Sequence, residues 1–220
     1  MAISKVTQVR VAPFFYYAIV LAISSWLGTS AIDAQLVYGL RVGGVALLLF
    51  FFRHQYTELA KPVNIALSSW LMAIIVGLVV FLLWISLDQS WMLQGKATTF
   101  DPYMENRAIN YTLLAMRLFG SVLVVPIMEE LFFRSCLMRW IDCKSFLQLS
   151  PRLISLRAVF ISSMLFAGAH IHWFGGLLAG MAYAMLYRKT QTIWMPIFAH
   201  AITNALLVIW VITGAHWSWW

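Results

Sequence analysis

Charge is what this sequence has least of. Only 10% of its 220 residues are charged and eight are acidic, whereas a soluble domain carries about a quarter charged residues. Too few polar side chains remain to coat a water-facing surface, which excludes an ordinary soluble enzyme or binding module. Cysteine is nearly absent too. Cys136 and Cys143 are too few for a disulfide framework, and their place in one basic region makes them unpaired thiols on the reducing side. No tract of Lys and Arg is present to follow a nucleic-acid backbone. The net charge of +7 and the pI of about 9.7 therefore carry no nucleic-acid partner. Tandem repeats and low-complexity stretches are missing as well.

What fills the chain is apolar. Hydrophobic residues make up 62% and mean hydropathy is +0.83. They fall in runs at about 12–31, 35–52, 66–87, 109–138, 153–170, 172–188 and 192–213, and a membrane-crossing helix needs roughly 20 such residues. The expected fold is all-α, a polytopic transmembrane helical bundle of about seven spans, built as a single membrane domain over 1–220. The fourth run is long enough for a tilted helix, a broken helix or two short ones, so eight spans is the alternative. Lys5 and Arg10 ahead of the first run resemble a signal-peptide start. That run is long and lacks a small-x-small cleavage site, so it reads as a retained first helix.

Basic residues orient the bundle. With the N-terminus inside, inner loops hold Lys5, Arg10, Arg53, Lys61, Arg139, Lys144, Arg152, Arg157, Arg188 and Lys189, while outer loops hold Lys96 and Arg107. In loops this short such a bias sets topology, here with a cytoplasmic N-terminus and an external C-terminus. Trp217, Trp219 and Trp220 suit the outer headgroup region. The loop at about 88–108, with Asp88, Lys96, Asp101, Pro102 and Glu105, reads as a solvated connector. Gly39-x-x-x-Gly43 and Gly176-x-x-x-Gly180 read as helix-packing devices. Membrane lipids are the general partner.

An ionisable group in hydrocarbon is expensive and is a functional candidate by default. Six of the eight acids, Asp33, Glu58, Asp88, Asp101, Glu105 and Asp142, fall in loops or at helix ends. Glu129 and Glu130 alone sit deep in an apolar run. Glu130 and Arg134, four apart, share a helix face and can pair. Glu129 lies about 100° around the helix and needs a different partner. His170, at the end of the fifth run, and His200, inside the last, supply one at similar depth. Asn204 shares the His200 face. Pro126 can kink the helix that aims the glutamates, and Pro196 can loosen the one that carries His200. His172 falls in a turn, His54 and His216 at membrane edges. Arg41 and Arg117 snorkel or pair.

Glu129-Glu130-x-x-x-Arg134, Phe166-x-x-x-His170 and His200-x-x-x-Asn204 resemble, in order, the three motifs of the CAAX-protease and bacteriocin-processing family. These are intramembrane glutamic endopeptidases that include the Rce1-type prenyl-protein proteases. The resemblance covers about 120–210. It implies hydrolysis of a peptide bond near the C-terminus or membrane-proximal part of a membrane-associated protein or peptide, prenylated or sorted, in a prokaryotic plasma membrane. It implies Glu129 and His170 as the activators of a water, His200 and Asn204 as oxyanion donors, and Glu130 and Arg134 as braces, with no cofactor. Ser135 and Cys136 have no base at motif spacing.

Three other readings stand beside it. Glu129, His170 and His200 are also a possible zinc set, although no His-Glu-x-x-His is present. A proton-coupled transporter uses similar buried groups, but matching halves are missing. A non-catalytic immunity or scaffold protein would keep the same fold.

Overall fold

In a computed structural model describing residues 4–27, 34–60, 64–95 and 109–219, the apolar runs form seven principal helices. These are α1 (Lys5–Leu27), α2 (Ala34–Phe51), α3 (Leu67–Ser86), α4 (Tyr111–Asp142), α5 (Leu156–Gly168), α6 (Trp173–Thr190) and α7 (Trp194–Gly214). The chain is an all-helical integral membrane bundle. By length and composition α1, α3, α4 and α7 are long and apolar enough to cross a membrane. Asp33, Lys61, Lys96, Asp101, Pro102, Glu105, Arg107 and Trp220 lie outside the described residues.

Local chemistry sets the helix limits. Asn110 caps α4 by accepting from the Leu113 amide at 3.0 Å, and Ser155 caps α5 through the Ala158 amide at 3.0 Å. Ser155 is itself gripped by Asp142, which accepts from its amide and its hydroxyl. The run expected at 153–170 is accordingly helical only over Leu156–Gly168, because short turns at Phe146–Gln148 and Pro151–Leu153 precede the cap. The long fourth segment is one unbroken helical run of 32 residues. It is widened by π-helical turns at Gly120–Val124 and Leu131–Leu137, so neither a break nor two short helices occurs.

Prolines behave differently from expectation. Pro196 lies in the first turn of α7, where amides have no helical acceptor. It starts the helix rather than loosening the region of His200. Pro13 lies inside α1 and deprives the Val9 carbonyl of its amide partner. The Tyr56 hydroxyl replaces it, donating to that carbonyl at 3.0 Å.

Close approach depends on missing side chains. A methyl at Gly77 of α3 would lie 2.7 Å from the Ala199 carbonyl of α7, and one at Gly180 of α6 would lie 3.0 Å from Ser163 of α5. Gly176 meets Ala167 in the same seam, so this glycine pair packs helices as expected. Of the other pair, Gly39 packs against Met116 while Gly43 faces open space. Phe14 stacks on Phe132 at 4.2 Å, and Phe133 meets Phe166 edge-on at 5.1 Å, joining α1, α4 and α5. Arg41 lies over the rings of Tyr17 and Tyr38, and Arg117 over Tyr38.

Near the N-terminal end of α1, a buried ion pair departs from the simple loop placement of its members. Arg10 donates to Glu58 Oε1 at 2.8 Å, to the Val6 carbonyl at 2.9 Å and to the Gln55 carbonyl at 3.1 Å. Ser135 of α4 donates to the same carboxylate. Ser135 therefore has an acidic neighbour that spacing could not reveal, but one neutralised by Arg10. Burial alone would raise the Glu58 carboxyl. The hydrogen bonds and charge of Arg10, with Ser135, outweigh it and hold the group below the ordinary glutamate range. Such a group stabilises the fold above its unfolded pKa, and the contribution is lost as pH falls through the lower folded value. Glu58→Gln leaves Arg10 buried and unpaired, and thermal unfolding in detergent should show a loss of about 3–5 kcal/mol. A double Arg10→Met/Glu58→Leu variant should recover much of it and lose less stability on acidification. Equal melting of wild type and Glu58→Gln would contradict the latch.

Candidate active site

Glu129 and Glu130 stand on the last α-helical turn between the two π-helical widenings of α4. Widened turns of this kind recur at functional sites, because they shift side-chain register without ending the helix. Both glutamates are buried. Glu130 Oε2 lies 3.0 Å from Arg134 Nε on its own helix, as their spacing suggests, and Glu130 Oε1 lies 3.0 Å from His200 Nδ1 on α7. Arg134 also donates to the Gly180 carbonyl of α6 at 3.3 Å and stacks over Phe166 at 4.4 Å. One carboxylate thus ties α4 to α7, and its guanidinium ties α4 to α6.

Glu129 points to a different set. Its Oε2 is 4.0 Å from His170 Nε2 and 3.9 Å from His200 Nε2, and it has no direct hydrogen-bond partner among the described residues. Polar atoms at that separation are one bridging water apart. His170 sits just past the end of α5, where the chain tightens and its amide donates to the Ala167 carbonyl. Its Nδ1 lies 2.7 Å from the Phe166 carbonyl. A carbonyl only accepts, so Nδ1 carries the proton and Nε2 is left as the acceptor facing Glu129.

Asn204 reaches the same pocket by a backbone defect. The Val125 amide closes the wide turn on the Gly120 carbonyl, and the next donor in that register belongs to Pro126, which has none. The orphaned Ser121 carbonyl accepts from Asn204 Nδ2 at 2.7 Å. Pro126 therefore aims the pair less by kinking than by freeing a carbonyl that pins α4 to α7. One amide hydrogen of Asn204 is committed there, and the other remains for a ligand.

Some participants carry no sequence signal. The Tyr183 ring of α6 stacks on His200 at 5.0 Å and 20°. Its hydroxyl donates to Thr203 at 2.8 Å, and Thr203 in turn reaches the Gly77 and Ala199 carbonyls. Trp84 of α3 sets its edge against His170 at 5.6 Å. A tyrosine and a tryptophan among many in apolar runs look like core. His172 lies in the turn before α6, as expected, with its ring on Trp219.

Glu129, His170, His200, Asn204, Ser121 and Tyr183 line one cavity of about 160 Å³, walled by Trp84, Val125, Leu207 and Val208. Among the described residues, no group of three His, Cys, Asp or Glu side chains is arranged to hold a metal ion. The cavity presents a carboxylate, two imidazole Nε2 atoms and an amide donor in apolar surroundings, groups that can activate a water and stabilise an oxyanion.

With that geometry in view, residues 111–206 match the family profile described as "Type II CAAX prenyl endopeptidase Rce1-like". Over that segment the chain is similar to the family. The segment runs from the start of α4 well into α7 and contains Glu129, Glu130, Arg134, His170, His200 and Asn204. A curated protein of Bacillus subtilis (strain 168), "Putative membrane peptidase YdiL", is 35% identical over 92 residues, which is 40% of this chain and 34% of that protein. The match thus spans about a third of the relative's length. No solved structure matches the chain.

The proline–asparagine exchange within the matched segment is testable. Asn204→Ala strands the Ser121 carbonyl and should cost about 1–3 kcal/mol of stability. Pro126→Ala restores an amide donor to that register, so the double variant should lose clearly less than Asn204→Ala alone. Strict additivity in thermal unfolding would contradict the exchange.

Proposed function

We propose that the chain is an intramembrane glutamic endopeptidase acting on a membrane-associated protein or peptide. The observation that carries this is the position of the Glu129 carboxylate, one water's reach from the Nε2 atoms of two histidines contributed by two other helices. A water held there donates to Glu129 and to His170 Nε2. Glu129 takes its proton as the oxygen bonds to the scissile carbonyl carbon. The tetrahedral oxyanion then accepts from His200 Nε2 and from the second amide hydrogen of Asn204. Because Nδ1 donates to Glu130, donation from Nε2 makes His200 the imidazolium in this step, with Glu130 as its counter-charge. Collapse passes the proton to the leaving nitrogen and breaks the C–N bond. Glu130 and Arg134 brace His200, and a dry pocket strengthens each such interaction.

The chemistry uses no cofactor and no nucleophilic serine or cysteine. The substrate bond lies near the C-terminus or in the membrane-proximal part of a prenylated or sorted chain, and lipids are the surrounding partner. The Rce1-like segment and the YdiL similarity support the peptidase reading. The asymmetry of Lys and Arg supports a cytoplasmic N-terminus and an external C-terminus, and the proposal places the chain as a single membrane domain in a prokaryotic plasma membrane.

Glu129→Ala or His170→Ala should abolish cleavage while the protein still inserts and melts as a folded bundle, and near-normal turnover by either variant would reject the assignment. Removing the Asn204 oxyanion donor should lower kcat by about 10²–10³. Purified enzyme should keep its activity after chelation. Loss that zinc restores would favour the metal reading of Glu129, His170 and His200 instead.

A further inference from the structure

The two ends of the bundle differ in chemistry, and the cavity belongs to one of them. At one end lie the Arg10–Glu58 pair, the Asp142–Arg157 contact at 3.8 Å, Arg139 bonded to the Leu147 and Leu149 carbonyls, and Ser150 against Gln191. Arg188 and Lys189 end α6 at this same level. The opposite end is rich in tryptophan. Trp173 donates to the Trp91 carbonyl at 2.9 Å, Trp219 stacks on His172, and Trp210 stacks on His216. Basic loops mark the cytoplasmic side, so the orientation proposed above places the tryptophan end outside.

Toward the basic end the site is closed. Arg134, Phe133, Phe166, Tyr183, Met195 and Ala199 are each at most 2% exposed, and the Arg10–Glu58–Ser135 latch follows beyond them. Toward the tryptophan end it opens. Side-chain exposure rises from 0% at Glu130 through 6% at His200 and 8% at Glu129 to 21% at His170. The lining residues follow the same direction. At 1.5 Å per residue, Leu207 and Val208 lie about 20 Å along α7 from its basic end, and Trp84 about 26 Å along α3.

A short helix makes the opening. With 13 residues, α5 spans about 20 Å, against a hydrocarbon thickness of about 30 Å. The turn carrying His170 is therefore recessed below the external surface. The segment after α3 descends to it: Gln94 donates to the Ala167, Gly168 and His170 carbonyls at 3.2, 3.1 and 2.7 Å, and its amide donates to the Ile171 carbonyl. The loop read as a solvated connector thus begins by holding the recessed turn.

We infer that the site is entered from the non-cytoplasmic end, and that its substrate is a peptide segment presented in the outer half of the membrane. This rests on the peptidase reading for the word substrate, and on the proposed cytoplasmic placement of the basic end for the side. A cavity of about 160 Å³ is smaller than the roughly 300–1,000 Å³ of drug-sized ligand sites. It takes a peptide bond and its flanking side chains, with the rest of the chain among Trp84, Leu207 and the external tryptophans. A chain lying wholly on the cytoplasmic surface cannot reach Glu129 through the closed end.

Cysteine accessibility tests the direction. In a Cys136→Ala background, Leu207→Cys is treated with a membrane-impermeant thiol reagent in intact cells and in inverted vesicles. The native Cys143, beside Lys144, serves as the internal marker. The expected result is labelling of Leu207→Cys in cells and of Cys143 in inverted vesicles. Labelling of Leu207→Cys only in inverted vesicles, from neither side, or together with Cys143 in intact cells overturns the inference. The same pattern is expected with Glu129→Gln added. Outside labelling in a protein without peptidase activity would reject the hydrolytic reading alone, and inside labelling in an active protein would reject the direction alone.

Discussion

The Glu130 carboxylate, clamped between Arg134 and His200, is the interaction on which the rest of the molecule depends. Buried where no water can solvate it, it must be paired or expelled, and its two partners come from different helices. Satisfying it brings α4 against α7. Arg134 then reaches the Gly180 carbonyl of α6, an approach that only glycine permits beside Ser163. With those helices in place, His200 sets Nδ1 on Glu130 and Nε2 toward Glu129. The adjacent glutamates therefore divide their roles by geometry, one sealed in the scaffold and one facing the cavity.

A second constraint runs through the fold. In hydrocarbon every backbone group must find a partner inside the protein, yet Pro13 and Pro126 each withdraw an amide from a helix interior. In both places a side chain from elsewhere replaces it, Tyr56 at the Val9 carbonyl and Asn204 at the Ser121 carbonyl. Each defect thereby becomes an interhelical joint. The first anchors α1 to the turn after α2, close to the Arg10–Glu58 latch. The second anchors α4 to α7 at the mouth of the site. The π-helical turns serve the same end, since a wider turn releases carbonyls that a regular helix would consume.

The parts legible in the sequence were those where physics leaves few choices. Two adjacent glutamates in an apolar run had to be functional or paired, and Glu130 and Arg134 sit at helical spacing, so their ion pair could be expected. The meeting of Glu129 with His170 and His200 followed from similar depths along three helices. What spacing cannot carry is contact between distant segments. Arg10 and Glu58 looked like independent loop charges because 48 positions separate them. Tyr183 and Trp84 were hidden among many aromatics in apolar runs. The short α5 was misjudged because hydropathy does not register the Asp142–Ser155 cap, and Pro196 was misjudged because its effect depends on which turn of the helix it occupies.

The central claim is that Glu129 faces both imidazoles through Nε2 while their Nδ1 atoms are held elsewhere. The most direct measurement is the ring-nitrogen NMR spectrum of ¹⁵N-histidine-labelled protein in lipid nanodiscs, compared with Glu129→Gln. The account predicts that the Nε2 resonances of both His170 and His200 move, with a much smaller change at the Nδ1 of His170 on its carbonyl. If both Nε2 resonances stay where they were while the variant remains folded, Glu129 does not address the histidines and the account is wrong.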